Sequence, residues 1–272
     1  MVKHVHKMQT LLFGEIYTPS KFSQILEIID DHSGDRRSVY MWRGQGDVSW
    51  AIHSSAYRRL LKERRWEEPP SEMTMRDYER DLLLNAWHQG YGYENGRKLT
   101  DFELLAKLQH HGAATRLIDV SRNMLVALWF ACRSQTDKTG ILLGWHISNI
   151  LGFEGRSEER GYNEIFGAGD TKGLDTGSHP VVWQPPVVTK RIAAQSAEFL
   201  YSRVCDDPVS SLAFKKEKKA FLAIGLTPEM KSVCLRILED SFDVRQLTLF
   251  PDIDGLGYAN SENFGSYSDE RW

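Results

Sequence analysis

Three stretches of the chain carry side chains whose types and spacing could do chemistry. The first, YMWRGQGDVSW from Tyr40 to Trp50, ends an alternating run with Arg43 and then turns on Gly44 and Gly46. Alternation puts Val39, Met41 and Arg43 on one face and Tyr40 and Trp42 on the other, so Arg43 points into a partly buried place. An arginine there either grips a ligand or serves as a buried structural post. The second stretch, QHHGAATRLIDVS from Gln109 to Ser121, packs Gln109, His110, Thr115, Arg116, Asp119 and Ser121 between apolar segments. Burying so many polar groups is costly unless they pair with each other or with a ligand. An Arg116–Asp119 salt bridge that pins the turn meets that demand, and so does a ligand-binding role. The third stretch, QSAEFLY from Gln195 to Tyr201, opens an apolar strand with Glu198. That glutamate is either an exposed strand-end carboxylate or one aimed into a cleft.

Other chemistries find less support. His110 and His111 are adjacent, so on a helix they point about 100° apart. There is no H-E-x-x-H and no Cys/His pair at ligand spacing, so metal catalysis is not expected and His110 reads as a hydrogen-bonding post. GYGYENG from Gly90 and GAGDTKG from Gly167 do not fit a phosphate-binding loop, and no G-x-S-x-G is present. A metal-independent nuclease built on His110 and Asp119 lacks a second acid–base pair.

These groups need elements to hold them. Thr18-Pro19 reads as an N-cap with Pro at the first helical position, opening a helix with Phe22, Ile25, Leu26 and Ile29 on one stripe, which Ser33-Gly34 ends. A leucine-rich helix is expected over 78–87, and GYGYENGRKLT as a loop. Thr100-x-x-Glu103 is a capping box for the next helix, which His111-Gly112 closes. An extended piece over 114–121 leads into a helix over 123–133 that is apolar all round and therefore deeply buried. Strands are expected over 140–147, from about Glu198, and over 221–226, with extended chain over 181–188 and a long surface loop over 149–179. Thr227-Pro228 caps a helix carrying Met230, Val233, Cys234, Ile237 and Leu238, and the tail from Asn260 is polar. The order gives an α+β fold, with a helical segment over 1–37, one domain over 38–258 and a polar tail over 259–272.

Composition narrows the setting. The chain has 272 residues, 41% apolar and 26% charged, with eight tryptophans, as a soluble globular protein with a real core would. A net charge of −3 means that any nucleic-acid contact is local. The basic clusters, Arg58-Arg59 with Lys62, Arg64 and Arg65, and Lys215-Lys216-Glu217-Lys218-Lys219, are expected to be solvated faces. Three scattered cysteines exclude a disulfide framework and fit a reducing compartment. With no apolar span and no signal-peptide core in MVKHVHKMQT, a cytoplasmic location and no membrane contact are expected.

Four ordered motifs then resemble one family. WRGQ at 42–45, Q-H-x-G-x-x-T-R-L-x-D-x-S at 109–121 with A-L-W-F-A after it, R-I-x-x-Q at 191–195 and LFPDIDGL at 249–256 together resemble FRG-domain proteins, over roughly 38–258. A weaker resemblance is to toxin-type ADP-ribosyltransferases. These start their cleft with an aromatic-Arg-Gly strand, continue with a Ser-Thr-Ser-like strand and a helix, and end on a strand with a catalytic glutamate.

That second resemblance implies a split β-sheet core of ADP-ribosyltransferase type, with NAD as substrate. It makes Glu198 catalytic and gives cofactor-binding roles to Arg43, Gly44, Gln45, His110, Thr115, Asp119, Ser121 and Gln195. Gly44 and Gly46 would let the dinucleotide approach the backbone, and Trp42, Trp50 or Tyr201 would stack on a base or pack the core. It further implies a toxin or phage-defence effector that modifies a macromolecule, RNA or DNA ahead of protein, with an antitoxin or inhibitory partner. The competing expectation is a binding module that holds a nucleotide or nucleic-acid end without catalysis. The two differ in whether Glu198 and Arg43 face one cleft.

Overall fold

The computed structural model describes residues 5–33, 40–63, 67–146, 150–152, 158–167, 179–186, 189–213 and 221–262. The chain starts with a hairpin, β1 (His6–Thr10) and β2 (Gly14–Thr18), before helix α1 (Phe22–Ser33). The expected helix is present as α1, and the hairpin before it corrects the reading of 1–37 as a helical segment. Thr18 pairs with His6 at the end of the ladder, and the Gln24 side chain takes over the cap by accepting the Ser20 and Lys21 N–H groups at 2.8 and 3.2 Å.

Strand β3 (Tyr40–Gln45) is followed by α2 (Ser55–Glu63) and α3 (Glu72–His88). α3 begins earlier than expected because Ser71, after two prolines, caps it by accepting the Thr74 N–H. The expected loop after α3 contains a two-residue hairpin, β4 (Tyr93–Glu94) and β5 (Arg97–Lys98). Asn95 and Gly96 between them take φ of 50° and 78°, the left-handed pair that such a turn requires.

The capping box opens α4 (Asp101–His110) as its spacing predicts. Next come β6 (Ile118–Ser121), the buried helix α5 (Met124–Arg133) and β7 (Gly140–His146). Part of the expected long loop is helical, α6 (Tyr162–Phe166), because Tyr162, Ile165 and Phe166 have a core to enter. The chain ends with β8 (Val181–Trp183), α7 (Lys190–Ala194), β9 (Ala197–Tyr201), β10 (Val204–Asp207), β11 (Ser210–Leu212), β12 (Phe221–Leu226), α8 (Pro228–Phe242), α9 (Gln246–Leu249) and α10 (Ile253–Ala259). GAGDTKG beyond Gly167, the Lys215–Lys219 cluster, Arg64, Arg65 and most of the expected tail lie outside the described residues.

Eight strands form one mixed sheet in the order β1-β2-β12-β7-β3-β6-β9-β8. The strands of Arg43, Ser121 and Glu198 (β3, β6 and β9) are therefore neighbours. Pairing of Trp42 with Gly144 and Ser121, and of Ser121 with Ala197, puts these residues on one face. α5 covers that face so closely that a Cβ on Gly44 would run into the Ala127 carbonyl and the Ala131 nitrogen. Gly44 is thus required by helix packing, whatever else it does. The opposite face carries Met41, Leu143, Val120 and Leu200 and packs against Ile52 and Leu212. Past Arg43, the turn at Gly46 is held by Lys231, a buried ammonium that donates to the carbonyls of Gly46 (2.6 Å), Ser134 (3.0 Å) and Gln135 (2.7 Å).

Candidate functional site

Arg43 sits where two strands part. β3 pairs with β7 along its whole length but meets β6 at one pair, Trp42 with Ser121. Beyond that pair the guanidinium fills the gap, with Nη1 donating to the Asp119 carbonyl at 2.7 Å and Nε to Gln45 Oε1 at 3.2 Å. Gln45 is buried and anchored in turn, its Nε2 donating to the Trp50 carbonyl at 2.8 Å. Burial works against the charge on Arg43, and Arg58 adds to that, while Asp119 opposes it. An arginine keeps its proton regardless, so the outcome is a partly desolvated cation held by two neutral oxygens.

A cavity of about 350 Å³ opens beside Arg43. Its walls bring together much of what the sequence singled out: Trp42, Arg43 and Gly44 from β3, Gln109 and His110 from α4, Asp119 and Ser121 from β6, and Gln195 after α7. Asp119 is exposed to it and accepts Gln109 Nε2 at 2.7 Å. Thr115 is buried one step behind, donating its hydroxyl to Gln109 Oε1, so it positions Gln109 instead of facing the cavity. Ser121 donates to the Gln195 carbonyl at 2.7 Å and accepts the Asn123 N–H, holding the wall to the start of α5.

Two motifs interlock to close the far side. Arg191 makes a two-pronged ion pair with Asp252 at 2.7 and 2.9 Å and lies over the Phe250 ring, 4.7 Å from its centre. Gln195 Nε2 donates to the Leu249 carbonyl at 3.0 Å. His110 faces the same corner, its Nε2 3.9 Å from Asp252 Oδ2. Burial and then Arg191 push His110 below the usual imidazole range, against the pull of Asp252. Arg191, Phe250, Asp252 and Phe130 were not among the expected site residues. The i, i+4 spacing of Arg191 and Gln195 was the available signal, since it sets both on one side of a helical turn.

Glu198 stands apart from these groups. Its neighbours Ala197 and Phe199 line the cavity, and alternation turns Glu198 to the other face of the sheet. It is 1% exposed, so it is not an exposed strand-end carboxylate, and among the described residues neither oxygen has a hydrogen-bond partner. Burial raises its carboxyl to about 7, with Arg122 opposing. Glu198 pairs with Val120, and carrying the Trp42–Ser121 register one residue on sets Val120 beside Arg43. The three form a row on one face, with Arg43 and Glu198 two strand spacings, roughly 10 Å, apart.

The expected Arg116–Asp119 salt bridge does not form. Arg116 turns into the core, where Nε meets Glu79 Oε2 at 2.5 Å, Nη1 meets Glu72 at 3.0 Å and the guanidinium lies over Phe166. Thr115 and Arg116 thus point to opposite sides of the chain, and Arg116 finds two carboxylates on α3 that sequence separation concealed. Trp42 and Tyr201 are core residues, whereas Trp50 is 45% exposed. Among the described residues no three His, Cys, Asp or Glu side chains group as a metal site.

Comparison with curated proteins gave no match, and neither did comparison with solved structures. Residues 38–140 match the family model of the FRG domain, which supports the FRG family for the stretch that carries Arg43, His110, Thr115, Asp119 and Ser121.

Proposed function

We propose that the chain is an NAD-dependent ADP-ribosyltransferase acting on a macromolecule, RNA or DNA ahead of protein. Its setting in this reading is that of a toxin or phage-defence effector with a neutralising partner. The observation that carries the reading is Glu198: a sealed carboxylate without a hydrogen-bond partner among the described residues, in one row and on one face with Arg43. Stability alone does not favour such a group, because an unpaired buried carboxylate is costly, and perturbed groups of this kind concentrate at functional sites.

In the transfer, the bond between nicotinamide and ribose breaks with its electron pair leaving on nicotinamide, and the ribose becomes oxocarbenium-like. An oxygen or nitrogen of the target forms the new bond and releases its proton. A carboxylate holding the ribose 2′-hydroxyl in dry surroundings stabilises that cation. Arg43 supplies a fork for phosphate oxygens that a lysine would not.

One observation favours a second reading, a nucleotide-binding module without chemistry. The cavity is walled by Ala197 and Phe199, and Glu198 is absent from its lining. A nucleotide seated there lies across the sheet from the carboxylate. Incubation with labelled NAD and either cell lysate or total RNA separates the two. The transferase reading expects label transfer that falls about a hundredfold in Glu198→Gln. Transfer undiminished by that substitution removes Glu198 from its role. NAD binding without transfer leaves the module, and no NAD binding at millimolar concentration sinks both for this ligand.

A further inference from the structure

The two edges of the main sheet are finished differently. Residues 150–152 cover β8: the Leu151 N–H donates to the Pro180 carbonyl at 2.9 Å and the Val182 N–H to the Leu151 carbonyl at 2.8 Å. At the other edge, β1 pairs with β2 and with no other strand among the described residues. Such an edge offers a row of backbone donors and acceptors to another strand, and proteins commonly block it with an outward lysine. Here Lys7 is turned back on its own hairpin instead. Its Nζ donates to Glu15 at 2.7 Å and lies 5.1 Å from the centre of the Tyr17 ring.

The β1–β2 turn adds an apolar contact point. Leu11 is 98% exposed. The turn around it is structured: Thr10 Oγ1 donates to the Gly14 carbonyl at 2.9 Å and accepts the Phe13 N–H at 3.0 Å, and Gly14 takes φ of 67°. A leucine held in water by a structured turn gains from any apolar partner. Before the other end of β1, Val5 is half-buried against the core.

Symmetry selects the occupant and its register. Side chains alternate along a strand, so a two-fold axis normal to the sheet continues both faces only where one residue meets its own copy. Centred on Lys7, the pairing sets two ammonium groups opposite each other. Centred on Gln9, it runs His6 and Lys7 past the end of the other strand. Centred on Met8, it pairs all of β1, His6 with Thr10 and Lys7 with Gln9. That register also brings Leu11 to Val5 of the second copy, and joins the two Met8 side chains on the face that packs against the core.

We propose that two copies of this chain associate through their β1 edges, antiparallel and centred on Met8, so that the two sheets become one. β2, β12 and β7 separate β1 from β3, and the pairing leaves the cavity beside Arg43 uncovered in both copies.

Sedimentation velocity of the full chain tests this. Five residue pairs make a contact smaller than a standard interface, so a shift to twice the monomer mass is expected between about 1 and about 300 μM. In Gln9→Lys the added ammonium faces Glu15 within its own hairpin but opposes Lys7 of the second copy, twice per dimer. The dimer dissociation constant is expected to rise about tenfold there, and by a similar factor in Leu11→Ser, with both melts unchanged. Met8→Cys is expected to link two copies under oxidised glutathione, the two thiols passing two electrons and two protons to the reagent. Thr10→Cys is not, because its two copies lie roughly 13 Å apart along the strands. Peptide mass analysis assigns the link, since Cys132, Cys205 and Cys234 are free thiols as well. A monomer across the whole range overturns the pairing, as does a dimer that both Gln9→Lys and Leu11→Ser leave intact. Equal linking at positions 8 and 10 overturns it too. If Gln9→Lys does not fold, Leu11→Ser and the two cysteine variants decide.

Discussion

Glu198 holds its proton to higher pH than most glutamates, because burial lifts its carboxyl from 4.5 to about 7 and Arg122 only partly opposes this. The raised value ties stability to pH. Below about 4.5 the group is protonated in both folded and unfolded chains and has no effect. Between about 4.5 and 7 the unfolded chain carries a charge that the folded one resists, so stability is lost progressively across that window. The full difference is on the order of 3 kcal/mol above pH 7. Glu198→Gln removes the titration, so it is expected to equal wild type in denaturant resistance near pH 4.5 and to exceed it at pH 8. Urea midpoints at the two pH values check this, and a variant weaker than wild type at pH 8 would show that the carboxylate has a partner. A gain in stability joined to a loss of transfer would mark a residue kept for function at a cost to the fold. At this scale the sequence exposed which residues matter but not where they point. Arg43, His110, Asp119, Ser121 and Gln195 line one cavity, and it is the resemblance, not their types or spacing, that groups them. The partners of Arg116 were hidden, because Glu72 and Glu79 lie far upstream on α3.

At the scale of elements, the wall formed by α9 and α10 depends on a few side chains. Arg191 clamps Asp252, which also caps α10 by accepting the Gly255 N–H at 2.8 Å. Burial is partial at both ends of the ion pair, 17% and 22% exposed, so its strength lies in two parallel charge-assisted bonds and the ring beneath them. Arg191→Ala is expected to loosen the segment 246–260 without unfolding the sheet. Hydrogen exchange should show faster amides there and unchanged amides in β3, β7 and β12, whereas uniform acceleration would mean the pair holds the whole core. Elements with local signals were legible: the Thr100–Glu103 box, the Thr227-Pro228 cap and the apolar helix α5. The N-terminal hairpin was not, because Thr18-Pro19 satisfies a helix start as well as a strand end and only pairing with β1 and β12 decides between them. Nor was the face of Glu198 legible. It follows from the register of β9 against β6, which contacts distant in sequence set and no local pattern encodes.

For the whole molecule, the stretch that matches the FRG model is not a self-sufficient body. It ends at residue 140, the first residue of β7, yet all six residues of β3 pair with residues 141–146. β6 relies on β9 in the same way, and α5 packs its apolar surface against α8 and against Leu222 and Ile224 of β12. Cut at that boundary, β3 would keep one pair with β6, both strands would present open edges, and the all-round apolar α5 would face water. The cavity would fail with them, because Arg191, Gln195 and Phe250 of its wall all come later in the chain. A fragment of residues 38–140 is therefore expected to show no cooperative thermal transition and to aggregate at concentrations where the full chain stays in solution. Circular dichroism melts of the two, side by side, read this directly. A sharp transition in the fragment would mean that β3 and β6 pair more extensively once freed from β7 and β9. Arg43 would then lie inside a ladder, without the gap beyond the Trp42–Ser121 pair in which its guanidinium now reaches the Asp119 carbonyl.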